Sequence, residues 1–247
     1  MLRILCCVLL LIPLSSCTTP DYQGMQSAVE ERARQTVSRY FFRQFGTGVD
    51  KVLAALAAED GFLGNPLVKL LLPPPVGLMV EVGQAFYSNP QAALLDTLIN
   101  RAAEQVTLGA GPILKTALED VILNNQAQAL LSGGPGAITE HLRERTGEDL
   151  HKALLPSVSK ALDESGAVAI YRELAEISDI LSGIGQGIDD LGDVLRSDED
   201  EDGDTRKVPA PVAADELDEY VTARTIDGIF RMIEQRELVL REQIELP

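Results

Sequence analysis

Few side chains in this sequence have the types and spacing that catalysis needs. The two histidines, His141 and His151, lie ten positions apart, so they do not share one face of a helix. The sequence contains no HExxH, no paired CxxC, no GxSxG and no P-loop motif. It therefore predicts a protein that is not an enzyme and that uses no cofactor or metal. An enzyme that relies on Glu104 or on the histidines is kept as an alternative.

One group of polar residues has a spacing that brings side chains together on a helix. Asn100, Arg101 and Glu104 occupy positions i, i+1 and i+4, where Asn100 and Glu104 are neighbours and Arg101 can reach Glu104. This spacing predicts a structural polar network, either along the helix surface or as a buried clamp to a neighbouring helix. Asp227 is the candidate partner of that clamp.

An acidic run at residues 198–204 matches the first half of a calcium-binding EF-hand loop. Its acids stand at loop positions 1, 3 and 5 and its glycine at position 6. The match fails at Arg206 and Pro209, because loop position 12 should be a bidentate Glu. The run therefore predicts an acidic, flexible insert at about 196–214, and specific calcium binding is the weaker alternative.

The N-terminus has the pattern of a secretory signal. Arg3 is followed by a short apolar run at 4–12, which is too short to span a bilayer. The sequence Leu-Ser-Ser-Cys at 14–17 resembles the bacterial lipobox, which implies a signal peptide at 1–16 and a diacylglyceryl group on Cys17. A lipid with two or more chains anchors a protein stably. A secreted soluble protein with an ordinary cleavage site is the alternative.

This signal sets the expected location and domain organisation. Thr18 is not the Asp that retains lipoproteins in the inner membrane of enterobacteria, so the resemblance favours the periplasmic face of the outer membrane. We expect a lipid-tethered linker at 17–26 and a single helical domain at 27–247. The other two cysteines lie within the signal, so no internal disulfide is expected.

Helical periodicity dominates the rest of the chain and no strand pattern competes with it. The pattern predicts an all-α fold, an irregular bundle of about eight to ten short helices without a significant β-sheet. Asn89 and Pro90 are a predicted N-cap and first helical residue. Breaks are predicted after a first helix at Gly46 and Gly48, at Thr146 as an N-cap, and at Pro156 as a kink or division. The first helix is predicted to bury a stripe that comprises Val29, Ala33, Val37, Tyr40, Phe41 and Phe45.

The segment at 62–76 is the least helical part of the domain, since its prolines exclude a continuous helix. Its apolar residues predict an extended segment that lies across the bundle, with a lid or partner-facing segment as the alternative. Near the C-terminus, Gly228 lies within a predicted helix and suggests close approach of another helix.

The formal net charge of −17 argues against nucleic-acid binding, which needs a basic face. It argues equally against electrostatic docking of the whole protein on anionic lipid, although a local basic patch remains compatible with it. A membrane-lying first helix is suggested by Tyr40 and the two phenylalanines after it, whereas Glu30 and Glu31 favour packing in the core.

Several ordered motifs together resemble one protein family. They are DGFLGNP at 60–66, NRAAE at 100–104, ILKTALEDVILNNQAQALLSGGPGAITEHLRERT at 113–146, LLPSVSKAL at 154–162, YREL at 171–174 and LDEYVTARTIDGIFRMIE at 217–234. They are similar to domain-of-unknown-function family 4197, a group of uncharacterised bacterial lipoproteins. The resemblance implies a helical envelope protein and brings no known activity.

The expected function is a non-enzymatic binding or scaffolding module of the cell envelope, attached to the membrane through Cys17. Its partner would be an envelope protein or an apolar ligand. A carrier of a lipid or other apolar ligand is the alternative. An enclosed apolar cavity would favour the carrier, whereas a solid core with an exposed apolar patch would favour the scaffold.

Overall fold

The computed structural model describes residues 22–77, 89–185 and 210–244, which form helices, turns and extended segments but no strand. The all-α fold class is confirmed. The signal peptide, Cys17 and most of the acidic insert lie outside the described residues. The helices are α1 (Tyr22–Leu56), α2 (Pro90–Val106), α3 (Gly111–Leu123), α4 (Ala127–Ser132), α5 (Ala137–Ser165), α6 (Ala167–Gly185) and α7 (Leu217–Gln243), with 3₁₀ turns at Thr107–Ala110 and Ala214–Glu216.

Helix α1 is 35 residues long and passes through both glycines that were predicted to end it. That prediction was wrong, because the cost of Gly in a helix, about 1 kcal/mol against Ala, is offset by packing. A Cβ at Gly48 would lie 2.7 Å from Nε of Arg236, so the missing side chain lets α1 lie close to α7. The helix also begins at Tyr22, within the predicted linker.

The buried face of α1 begins later than predicted. Residues 26–37 are all exposed, and Val29 and Tyr40 are 66% and 55% exposed. The predicted core positions Val29, Ala33, Val37 and Tyr40 are therefore wrong. Phe41 and Phe45 are buried as predicted, because only from there onward does α1 contact the rest of the bundle.

Helix α5 is also longer than predicted, with 29 residues that include Pro156. Thr146 is not an N-cap: its hydroxyl donates to the Leu142 carbonyl at 2.7 Å inside the helix. Leu154 and Val158, on either side of the proline, are both buried, so tertiary packing holds the helix together there. The predicted break at Thr146 was wrong, and Pro156 does not divide the helix. The N-cap at Asn89, whose side chain accepts from the Gln91 amide at 2.9 Å, is confirmed.

The core is aliphatic with a few large rings. Helix α7 packs against both α1 and α5, and α2 packs against α5 and α6. The largest side chains that are fully buried are Tyr171, Phe41, Phe45, Phe62, Phe230, Leu56, Leu95, Ile99, Leu114, Ile138, Leu142 and Leu150. Burial of this apolar surface is the main favourable term in the stability of the bundle.

Candidate binding site along the strap

Residues 57–75, which we call the strap, leave α1 and cross the bundle in turns and extended chain. The strap turns some of its side chains into the core, where Phe62, Val68 and Leu70 are buried. Its Leu67 and Leu71 side chains are 54% and 64% exposed. The prediction that this segment lies across the bundle is confirmed, but residues 60–68 form mainly turns where extended chain was predicted. Turns within the strap pair some of its amides, such as that of Gly64 with the Asp60 carbonyl at 2.9 Å. The strap has no neighbouring strand among the described residues, so side chains must satisfy the rest of its buried backbone.

Side chains of α2 supply those groups. Asn100 Oδ1 accepts from the Leu70 amide at 2.8 Å, and Asn100 Nδ2 donates to the Leu70 carbonyl at 3.0 Å. One carboxylate oxygen of Glu104 accepts from the amides of Phe62 and Leu63 at 3.0 and 3.2 Å. Both side chains are buried. Asn100 thus takes the place of a neighbouring strand, and Glu104 anchors the first turn of the strap.

Arg101 completes this clamp at the surface. Its guanidinium donates to Glu104 at 2.7 Å, to Asp60 at 2.8 Å and to Glu59 at 3.3 Å. The hydrogen bond with Glu104 raises the pKa of Arg101, and the nearby Asp60 and Glu59 charges add to this. The residues Asn100, Arg101 and Glu104 therefore lie together, and their partner is the strap.

The second half of the strap is held from α6 and α7. The Tyr171 hydroxyl donates to the Pro74 carbonyl at 2.8 Å, and the Tyr220 hydroxyl donates to the Leu71 carbonyl at 3.1 Å. Arg231 donates to the Leu67 carbonyl at 2.8 Å. Because side chains fix the backbone on both sides of Leu67 and Leu71, these exposed leucines are presented in a defined position.

A groove of about 260 Å³ runs between the strap and α7. Leu67, Leu71, Tyr220, Arg224 and Arg231 line it. The Arg224 guanidinium lies 5.3 Å from the centre of the Tyr220 ring, within the range of a cation–π contact. We call this surface the strap groove. Tyr and Arg are enriched at the energetic centres of protein interfaces, and the exposed Leu67 and Leu71 add apolar surface beside them.

Asp227 also lines the strap groove but is not part of the Asn100–Glu104 clamp. Its carboxylate accepts from Arg143 at 2.8 Å and lies 4.0 Å from Arg224. Asp227 was predicted to pair with the Asn100–Glu104 clamp, and that prediction was wrong, because its partner is Arg143. Gly228 does mark a close approach, but by the strap: a Cβ there would lie 2.8 Å from the Phe62 ring.

A second buried polar cluster, at the end of α7, was not predicted from the sequence. Glu237 and Arg241 are 0% and 3% exposed and form an ion pair at 2.8 Å. Glu237 accepts from the Thr139 amide at 2.8 Å and from the Ile138 amide at 3.3 Å. It therefore caps the N-terminus of α5, where Gly136 has no capping side chain. The i, i+4 spacing of Glu and Arg on an otherwise apolar helix face is the signal that could have revealed it.

The remaining titratable groups are not gathered into a catalytic centre. His141 and His151 both lie on the continuous helix α5, about 15 Å apart along its axis, and His151 Nε2 lies 2.6 Å from Glu219. Within the described ranges, no group of three or more His, Cys, Asp or Glu side chains could hold a metal ion. A second open depression, of about 330 Å³, is lined by Asp120, Arg145 and Asp149 as well as by apolar residues.

Comparison with known proteins gives one match. The model of a family described as a protein of unknown function, DUF4197, matches residues 35–246. The chain belongs to the DUF4197 family. The resemblance seen in the sequence is confirmed, and the matched region includes the strap and both polar clusters. No curated protein and no solved structure matches the chain. Of the helices in the described ranges, none has the length and apolar character that crossing a membrane requires.

Proposed function

We propose that this DUF4197 protein is a lipid-anchored, periplasm-facing module that binds another envelope protein through the strap groove. The observation that supports it most is the pair Leu67 and Leu71. Both expose apolar surface on a backbone that Asn100, Tyr220 and Arg231 hold in place. A pre-organised apolar surface lowers the entropy cost of binding.

The packing of the bundle supports a protein partner more than an apolar cargo. A carrier needs a concave apolar site that encloses most of its ligand. The strap groove and the depression beside Asp120 and Arg145 are both open, and charged side chains line each of them. A partner that offers apolar side chains at its centre and carboxylates at its rim would match Leu71 and Arg224.

Native mass spectrometry of protein extracted gently from its own membrane tests the groove. We expect a protein-sized mass in addition to the lipidated chain, and its loss in the Leu71→Ser variant. Leu123→Ser is the matched control, because Leu123 is 77% exposed on α3. A lipid-sized mass that both variants retain would contradict the proposal and favour the carrier.

Membrane attachment has a separate test. In high salt, which screens contacts between charges, the Cys17→Ser variant should move from the membrane fraction to the soluble fraction, because the acyl chains supply the attachment. The Cys6→Ser variant, altered within the predicted signal peptide, should remain in the membrane fraction. If the Cys17→Ser variant still sediments with membranes in high salt, as the unaltered protein does, Cys17 is not the anchor.

A further inference from the structure

The N-terminal half of α1 has a face that no described residue covers. Residues 26–37 are exposed, and further along the helix Arg39, Tyr40 and Arg43 are exposed as well. The core-facing side of α1 is marked by Phe41 and Phe45, which are fully buried. The exposed side chains opposite them therefore point away from the bundle.

Three exposed arginines form one column on α1, on the side away from Phe41 and flanking the buried Phe42. Arg32, Arg39 and Arg43 are spaced 7 and 4 residues apart, which places them within about 40° of one another around the helix. Val29 and Tyr40 flank the column on one side. We call these five residues the arginine face. None of the three guanidinium groups has an ion-pair or hydrogen-bond partner within the described parts of the chain.

The acids of α1 do not neutralise the arginine face, because Asp50, which shares its side of the helix, lies two turns beyond Arg43 and no acid stands between the arginines on that side. Glu30 and Glu31 fall on the sides of the helix that continue the core-facing surface, by the same rotation of about 100° per residue. Glu30 is already within 3.4 Å of Arg34. The objection that these acids raise against a membrane-lying first helix therefore does not apply to the opposite face.

We propose that the arginine face binds the surface of a membrane that contains anionic lipid. Guanidinium groups pair with lipid phosphates, and the ring of Tyr40 with the side chain of Val29 provides a shallow apolar contact of the kind that interfacial helices make. A positive column in a chain of net charge −17 also orients the protein, because the rest of the chain is repelled by the same lipids. The contact is additional to the proposed lipid anchor and does not require it.

A single fluorophore tests this contact, since the sequence contains no Trp. The chain without its predicted signal peptide, residues 17–247, carrying Cys17→Ser and Tyr40→Trp, is mixed with phosphatidylcholine vesicles, with or without phosphatidylglycerol. We expect the emission to shift to the blue only with phosphatidylglycerol, and the shift to decrease as salt is added. The same chain with Leu123→Trp in place of Tyr40→Trp should not shift.

The arginines are tested by an equal change of charge at two places. Replacing Arg32, Arg39 and Arg43 by Gln should lower the partition coefficient about 100-fold, since each basic residue near an anionic surface contributes about fivefold. Replacing them by Lys should retain most of the binding. A control set removes the same charge from other exposed positions through Arg34→Gln, Arg145→Gln and Arg172→Gln. It should lower the partition coefficient much less.

Three results would overturn the proposal. The first is an equal blue shift with phosphatidylcholine alone, which would assign the contact to apolar insertion at position 40 without a contribution from the arginines. The second is an equal loss of partition in the control set. The third is a blue shift without vesicles that grows with protein concentration, which would assign the arginine face to contact between copies of the chain. Far-UV circular dichroism of each variant verifies that the helices are intact.

Discussion

The ion pair between Glu237 and Arg241 provides the strongest test of how the bundle is held together. Arg241 donates to Glu237 at 2.8 Å and to the carbonyls of Leu131 and Leu130 at 2.8 and 3.1 Å. One side chain of α7 thus binds the last turn of α4. Through Glu237, the same pair binds the first turn of α5.

The Arg241→Met variant keeps the size of the side chain and removes its charge and donors. Glu237 is then left as a buried carboxylate without its partner, which costs about 3–5 kcal/mol in the free energy of unfolding. With a urea m-value of about 3 kcal/mol/M, the midpoint of unfolding should fall by about 1–1.7 M. The assay is urea unfolding followed by far-UV circular dichroism, which reports the helix content.

A double-mutant cycle separates the pair from its surroundings. Glu237→Gln alone should also be destabilising, and the two changes together should cost about 1–3 kcal/mol less than the sum of the two. Costs that add to within about 0.5 kcal/mol would refute the reasoning. The control is Lys152→Met, because Lys152 pairs with Glu148 at the same i, i+4 spacing but on the exposed surface, where the midpoint should not change measurably.

Three further changes test the strap. Asn100→Leu should cost about 2–3 kcal/mol by leaving the amide and carbonyl of Leu70 unpaired, and hydrogen exchange at the Leu70 amide should accelerate more than exchange in the core of α5. Gly228→Ala should cost about 1–3 kcal/mol, because the new methyl group displaces the Phe62 ring; an unchanged melting temperature would contradict this. Glu104→Gln should cost about 1–3 kcal/mol in the free energy of unfolding by weakening charge-assisted hydrogen bonds to the strap. Protease should then cleave the strap faster, and an unchanged cleavage rate would show that Glu104 does not anchor it.

Local sequence patterns were sufficient for the fold class and for individual helix ends. The N-cap at Asn89 depends on its own side chain and on the next two residues, so the sequence contains all the information needed. Periodicity likewise identified Phe41 and Phe45 as buried. Patterns failed where a helix continues through a residue that ordinarily ends one. Gly48 is helical because Arg236, distant in sequence, packs over it.

The polar network divides in the same way. The spacing of Asn100, Arg101 and Glu104 indicated that they act together, because neighbours on a helix are fixed by its geometry. Their partner could not be deduced, since the strap backbone reaches them only through the folded chain. A backbone amide carries no sequence signature, whereas an acid such as Asp227 does, and the acid was therefore the predicted partner.

The sequence by itself determined that the chain is helical, strongly acidic and a member of its family, because composition, periodicity and ordered motifs are properties of the residues alone. Only the tertiary structure decided which polar groups are buried and which apolar ones remain exposed. Burial depends on contacts between segments far apart in the chain, as between Glu237 and the start of α5. For the same reason, only the structure showed that the N-terminal half of α1 is exposed and that Leu67 and Leu71 lie on the surface of the strap.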